Sequence, residues 1–268
     1  MVRTVAARIE LVLNRRTKMV FGVAVADDLP TSAETLTLTV DGAPAQTEVV
    51  PDDHGGRLHQ VVADGGRVVL DYRAEILGQA AQPPVSRIDL LRYIRPSRYC
   101  ESDTLGPTAY REFGSLSGLQ LIDAVADWVS AELIYVWGAS RPTDGAVATL
   151  LARQGVCRDY AHLCIALLRA QNVPARLAAV YAPGLSPMEF HAVAEAYVDG
   201  AWYVVDATKL APRQSLVRIA TGRDAADTAF LTTHWAGAQM PFLQVTATVG
   251  RPTDPLPVDD RRTPVSLR

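Results

Sequence analysis

The chain has 268 residues, of which 49% are hydrophobic and 21% charged, an ordinary globular composition that excludes a disordered chain. The formal net charge is −3 and no Lys/Arg cluster stands out, which argues against nucleic acid or an anionic membrane as a partner. Three cysteines are too few for a disulfide framework and suit a reducing, cytoplasmic setting. The first ten residues carry Arg3, Arg8 and Glu10, unlike a secretion signal.

Residues 1–98 are expected to form a β-rich, sandwich-like domain ending in a linker. Thr35-Leu36-Thr37-Leu38-Thr39-Val40 alternates polar and apolar residues, and Asp41-Gly42 follows as a turn. Two further strands, His59 to Ala63 and Arg67 to Tyr72, flank Asp64-Gly65-Gly66, a hairpin signal. Residues 78–98 hold Gln79, Gln82, Pro83, Pro84 and Pro96 and are expected to cross between domains.

The period then changes. Leu119, Ile122, Val125, Ala126, Val129 and Leu133 recur at helical spacing. Asp144 to Arg153 forms a shorter helix in this reading, with Asp144 as candidate N-cap and Gly155 as stop. From Cys157 to Gln171 the pattern is apolar almost all round, as in a helix buried at the centre of its domain. Strands are predicted at Arg176 to Tyr181, His191 to Val198 and Ala201 to Asp206, which makes an α+β domain over 99–250. A Pro-rich tail, 251–268, is expected to wrap the surface or fray.

Cys157 opens the buried helix, and a helix N-terminus favours the thiolate. A cysteine nucleophile needs a base, and the base an orienting group. Asp199-Gly200 is a two-residue loop of the type I′ kind, so Val198 opposes Ala201 and Val193 opposes Asp206. His191 and Asp206 then form a diagonal pair on one face, about 7–8 Å apart at Cα. Glu195 shares that face but lies about 13 Å along the strand from His191, which makes it the poorer partner.

His162 lies about 140° round the helix from Cys157 and is expected to be a core histidine. Cys157 and Cys164 are about 10.5 Å apart along the axis, too far to share a zinc, and no calcium-loop pattern of spaced acidic residues is present; no metal or other cofactor is expected. The Cys157 backbone N–H is one expected oxyanion donor; Tyr135, Trp137 and Gln154 are side-chain candidates for another.

The order Cys, His, Asp on a helix followed by two strands resembles the transglutaminase-like superfamily of papain-like cysteine enzymes. Gly155-Val156-Cys157-Arg158-Asp159-Tyr160-Ala161-His162 is similar to the nucleophile motif of its bacterial members. Phe190-His191-Ala192 and Asp206-Ala207-Thr208 resemble the His and Asp motifs, and the segment from Ile219 to Asp227 resembles one that follows the Asp. The resemblance runs from about Tyr93 to about Leu231. Val193 stands where many relatives have Trp, and Ala207 where many have Pro.

The resemblance implies a papain-like core with its central nucleophile helix packed on an antiparallel sheet. It also implies acyl transfer through a thioester on Cys157, with His191 relaying the proton and Asp206 holding the imidazole. A peptide or protein amide is the implied substrate and a peptidase or amidase the leading expectation. The alternatives are a protein-glutamine transglutaminase and a non-catalytic module on the same fold.

Overall fold

The computed structural model describes residues 1–81, 85–251, 254–261 and 263–268. Gln82, Pro83 and Pro84 of the expected linker lie outside the described residues.

The first third of the chain is β. It comprises β1 (Val2–Leu13), β2 (Thr17–Phe21), β3 (Thr31–Val40), β4 (Ala43–Pro44), β5 (Glu48–Pro51), β6 (Arg57–Ala63) and β7 (Gly66–Leu77). Alternation assigns the faces: Val5, Ala7, Ile9, Leu11 and Leu13 of β1 point into one core with Val68, Leu70, Tyr72, Ala74 and Ile76 of β7. Asp41 and Gly42 both have positive φ, as the predicted tight turn requires.

The hairpin expected at Asp64-Gly65-Gly66 does not form. Strand β6 pairs with β2 and β5, whereas β7 pairs with β1 and β3 in the other sheet. The glycines carry the chain round a corner between two packed sheets, each strand burying one face in the shared core. At that corner the Asp41 carboxylate accepts from the Arg67 N–H at 2.8 Å and fills the space beside Gly66, at φ 95°, where a Cβ would stand.

Helices follow: α1 (Arg87–Arg92), α2 (Gly106–Phe113) and α3 (Gly118–Glu132). Then come β8 (Ile134–Tyr135), α4 (Ala146–Ala152), β9 (Gln154–Gly155) and α5 (Cys157–Ala170). Gly145, not Asp144, is the N-cap of α4; Asp144 instead accepts from the Arg141 N–H at 2.9 Å and closes the turn before it. The side chains of α5 from Tyr160 to Leu168 are buried, and it lies between α2, α3 and α4 on one side and a four-stranded sheet on the other. That sheet has β10 (Ala175–Tyr181), β11 (Phe190–Val198), β12 (Ala201–Val205) and β13 (Val217–Gly222) in the order β12-β11-β10-β13.

The expected domain limits do not follow the sheets. Helix α1 lies inside the segment read as linker, and the residues after it already dock on the second domain: the Tyr93 carbonyl accepts from Ala175 N–H at 3.0 Å. At the other limit, β14 (Leu231–His234) adds to β2 and β15 (Gln239–Val249) adds to β1, so residues 231–249 complete the first domain's sheets rather than the second's. The complete sheets run β15-β1-β7-β3-β4 and β14-β2-β6-β5. Each returning strand covers an edge that would otherwise be open.

Part of the tail is also ordered against the second domain. The Val265 carbonyl accepts from Val204 N–H at 2.8 Å, and Val265 and Leu267 are buried. The two domains share apolar surface, since Tyr181, Val217 and Ile219 belong to the N-terminal core. Among the described residues no helix is long and apolar enough to cross a membrane.

Candidate active site

Cys157 is the first residue of α5, and Val156 at its N-cap has no side-chain oxygen to cap the helix. Asp159 supplies half of a capping box by accepting from the Val156 N–H at 2.9 Å. The same carboxylate accepts from Ser140 Oγ at 2.9 Å and stands beside Arg158. A Cβ on Gly155 would fall 2.7 Å from the Asp159 Cβ, so the glycine is what allows the carboxylate to reach back. The Gly-Val-Cys-Arg-Asp run therefore builds a tight entrance that leaves the Cys157 thiol at the start of the helix dipole.

The β11–β12 hairpin turns at Asp199 and Gly200, both at positive φ, with Val198 opposite Ala201. The register runs back to Ala194 opposite Val205, and Asp206 follows one residue beyond the last pair. His191 Nε2 lies 3.9 Å from Asp206 Oδ2, with both side chains almost wholly buried. At that distance the contact is an ion pair rather than a hydrogen bond. Asp206 Oδ1 is held from the other side by the Thr208 N–H at 2.9 Å and the Thr208 hydroxyl at 2.6 Å.

Burial disfavours charge on both members of the pair. On His191 it is outweighed by the Asp206 carboxylate and the Cys157 thiol, which together push the imidazole up to about 10. On Asp206 it is outweighed by His191 and Thr208, which hold the carboxyl below its ordinary value. The site thus favours an imidazolium against a carboxylate, and the other ring nitrogen, His191 Nδ1, is buried without a hydrogen-bond partner among the described residues. Glu195 is engaged elsewhere, bonded to Arg176 at 2.8 Å in a fully buried ion pair.

Of the three oxyanion candidates, Tyr135 is the one that lies beside Cys157. The parallel β8–β9 bridge pairs Tyr135 with Gly155. Its hydroxyl donates to Glu189 at 3.2 Å and is raised well above its ordinary pKa, by burial first, then by Cys157 and Glu189. Trp137 is 68% exposed and Gln154 is exposed, so both project to solvent.

His162 is buried against the Tyr99 ring and accepts from the Ala225 N–H at 3.1 Å, and burial pushes it down to about 3. It fastens the segment after β13 to α5. Asp224 in that segment accepts from Tyr99 N–H at 3.0 Å, and the Arg223 carbonyl accepts from Arg169 at 2.6 Å. Cys100 and Cys164 are fully buried.

A cleft of about 270 Å³ opens beside Cys157 and His191, walled by Leu177, Phe190, Phe230 and Leu231. Thr208 and the Phe230–Leu231 wall were not read from the sequence. The Asp-x-Thr pattern at 206–208 did carry a signal for Thr208, because an Asp before a turn bonds the backbone two residues on.

A family model described as the transglutaminase-like superfamily matches residues 110–207. A solved structure from Cytophaga hutchinsonii, described as a candidate cysteine protease, aligns with a TM-score of 0.84 at 30% sequence identity. The alignment covers 97% of this chain and 94% of that one. The periplasmic domain of TgpA from Pseudomonas aeruginosa aligns at a TM-score of 0.43 and 18% identity, over 77% of this chain and 90% of that one. A Mycobacterium leprae protein named only as uncharacterised is 26% identical over 139 residues, 48% of this chain. The chain spans about half, 49%, of that curated relative.

Proposed function

The chain belongs to the transglutaminase-like superfamily, and from that premise we propose that it is a cysteine hydrolase that cleaves amide bonds of peptides or proteins. The observation that carries the proposal is the meeting of Cys157, at the N-terminus of a buried helix, with a His191–Asp206 ion pair at one apolar cleft.

In this reading Cys157 Sγ attacks the amide carbonyl carbon, and the carbonyl oxygen becomes an oxyanion at the Cys157 N–H, with Tyr135 as a second donor once its hydroxyl turns from Glu189. With Nε2 turned to Asp206, His191 uses Nδ1 to serve the thiol and hands that proton to the leaving amine as the C–N bond breaks. A water then attacks the thioester, gives its proton to His191 and releases the acid, which restores the thiol. Asp206 keeps the imidazole oriented and Thr208 keeps Asp206 in place.

Water is the preferred acceptor because the relative that covers almost the whole chain is described as a candidate protease. Three free thiols support a reducing, cytosolic setting. Incubation with a peptide library, with and without a primary amine, followed by mass spectrometry, tests the reading. Cleaved or deamidated products that require Cys157 are expected; amine adducts would make the protein a transferase instead.

A further inference from the structure

The cleft beside Cys157 has a chemistry of its own. Apart from Cys157 and His191, its polar lining is Arg158 and Thr228; the rest is Leu177, Phe190, Phe230, Leu231 and three alanines. Arg158 is partly engaged: one terminal nitrogen of its guanidinium donates to Ser140 Oγ at 2.5 Å and to the Arg141 carbonyl at 2.6 Å, while its Nε is buried without a partner among the described residues. A charged or carboxamide side chain entering here would give up water for walls that, Arg158 apart, return few hydrogen bonds. An aromatic or branched aliphatic side chain would lose nothing comparable.

The wall is built jointly by both domains. Phe230 stacks on Phe190 with ring centroids 4.9 Å apart, and Phe190 directly precedes His191. Tyr181 continues the contact at 5.5 Å from Phe190, and Tyr72 of β7 reaches Tyr181 at 6.3 Å. The Phe230 carbonyl accepts from Gly22 N–H at 3.1 Å, and Leu231 pairs with Phe21 of β2. The N-terminal domain thus fixes one side of the cleft through its edge strand, although Cys157 and His191 belong to the other domain.

We propose that this cleft selects amide substrates by a bulky apolar side chain next to the scissile bond, with Phe230 and Leu231 as its specificity-determining wall. The inference rests on the hydrolase reading for its chemistry but not for its binding preference. Apolar pockets discriminate by roughly 10- to 200-fold for changes as small as a methylene, which sets the size of effect to look for.

The experiment uses full-length Cys157→Ala protein, so that binding is read without turnover. Fluorescein-labelled, C-terminally amidated hexapeptides identical except for a central Phe, Leu, Gln or Asp are titrated by anisotropy. The Phe and Leu peptides are expected to bind at least about tenfold more tightly than the Gln and Asp peptides. Adding Phe230→Ala, or Leu231→Ala should the first variant not fold, is expected to bring the ratio close to one. Equal affinities across the four peptides, or a preference that survives the wall substitution, would overturn the proposal. Failure of the hydrolase reading looks different: wild-type protein would bind the Phe peptide selectively and leave it intact.

Discussion

His191 Nε2 stands 3.9 Å from Asp206 Oδ2 at the end of the β11–β12 hairpin, and neither side chain reaches solvent. An attraction between opposite charges in a buried site is strong.

Replacing Asp206 by Asn keeps the shape and removes the charge. Amide turnover is expected to fall by roughly 10²- to 10⁴-fold, the usual range for loss of a working general acid–base. Thr208→Ala should cost less, because it removes one support of Asp206 and leaves the pair itself. Steady-state kinetics on one peptide substrate compares the two; an Asp206→Asn protein with wild-type kcat would remove Asp206 from the mechanism.

Only one of the three thiols should alkylate quickly. Burial pushes the Cys100 thiol up to about 12 and raises Cys164 as well, and both are fully enclosed. Iodoacetamide at neutral pH, mapped by peptide mass, is expected to modify Cys157 first, and Cys157→Ala should abolish the fast phase. Rapid labelling that persists in Cys157→Ala would place the reactive thiol elsewhere.

His191 and His162 should titrate on opposite sides of neutrality. Burial lowers both, but Asp206 and Cys157 lift His191 to about 10, whereas His162 stays near 3. Because the His191 value is raised on folding, its stabilising effect is complete below the ordinary value of ~6.5 and fades as pH climbs towards 10. Asp206 is lowered on folding, so its contribution is present above ~3.9 and is lost as pH drops through its folded value. The gap in Tm between wild type and Asp206→Asn should therefore be widest between roughly pH 4 and 6.5 and close towards pH 10. Histidine-selective NMR gives the direct check; a His191 resonance with a midpoint near 6.5 contradicts the scheme.

Arg176 and Glu195 face each other across β10 and β11, bonded at 2.8 Å, with Arg176 over the Trp202 ring at 4.3 Å. Glu195→Gln strands a buried guanidinium and should cost about 3–5 kcal/mol. Denaturant unfolding of the two proteins measures it, and a loss below 1 kcal/mol would mean that water or another group rescues Arg176.

His54 clamps the two domains. Its Nε2 bonds Asp89 of α1 at 2.7 Å, and its Nδ1 lies 2.8 Å from the Thr221 hydroxyl at the end of β13. His54→Ala removes both contacts and leaves a buried carboxylate short of a partner, at a cost of about 1–3 kcal/mol. Hydrogen exchange should quicken in α1 and around Thr221 before it does elsewhere. Uniform protection in the variant would show that the shared apolar core alone holds the domains.

The His191–Asp206 geometry was legible because Asp199-Gly200 is a turn with few alternatives, and a turn sets the register of the strands it joins. The buried α5 was legible because a largely apolar run of its length is too long for an ordinary buried strand. Partner identity was not legible. Asp64-Gly65-Gly66 has the same turn chemistry whether the chain folds back on its own sheet or crosses to the facing one. In β15 only Val245 and Ala247 alternate with polar residues as a buried pair, which says that one face is covered but not by which neighbour. That Tyr135, and not Trp137 or Gln154, lies beside Cys157 was not legible, because a two-residue bridge to Gly155 places it and so short a strand leaves no periodic trace.

The return of β15 to β1 has a consequence for how the protein is made. Strand β1 is synthesised more than 200 residues before the neighbour on its outer edge, which comes from residues 239–249. Until those residues are available, both N-terminal sheets carry an unfilled side, β1 in one and β2 in the other. Pairings between distant segments form slowly, and exposed edges meanwhile invite association with other chains. Folding of the first domain should therefore wait on translation of the second, and a fragment ending near residue 98 should aggregate rather than fold alone.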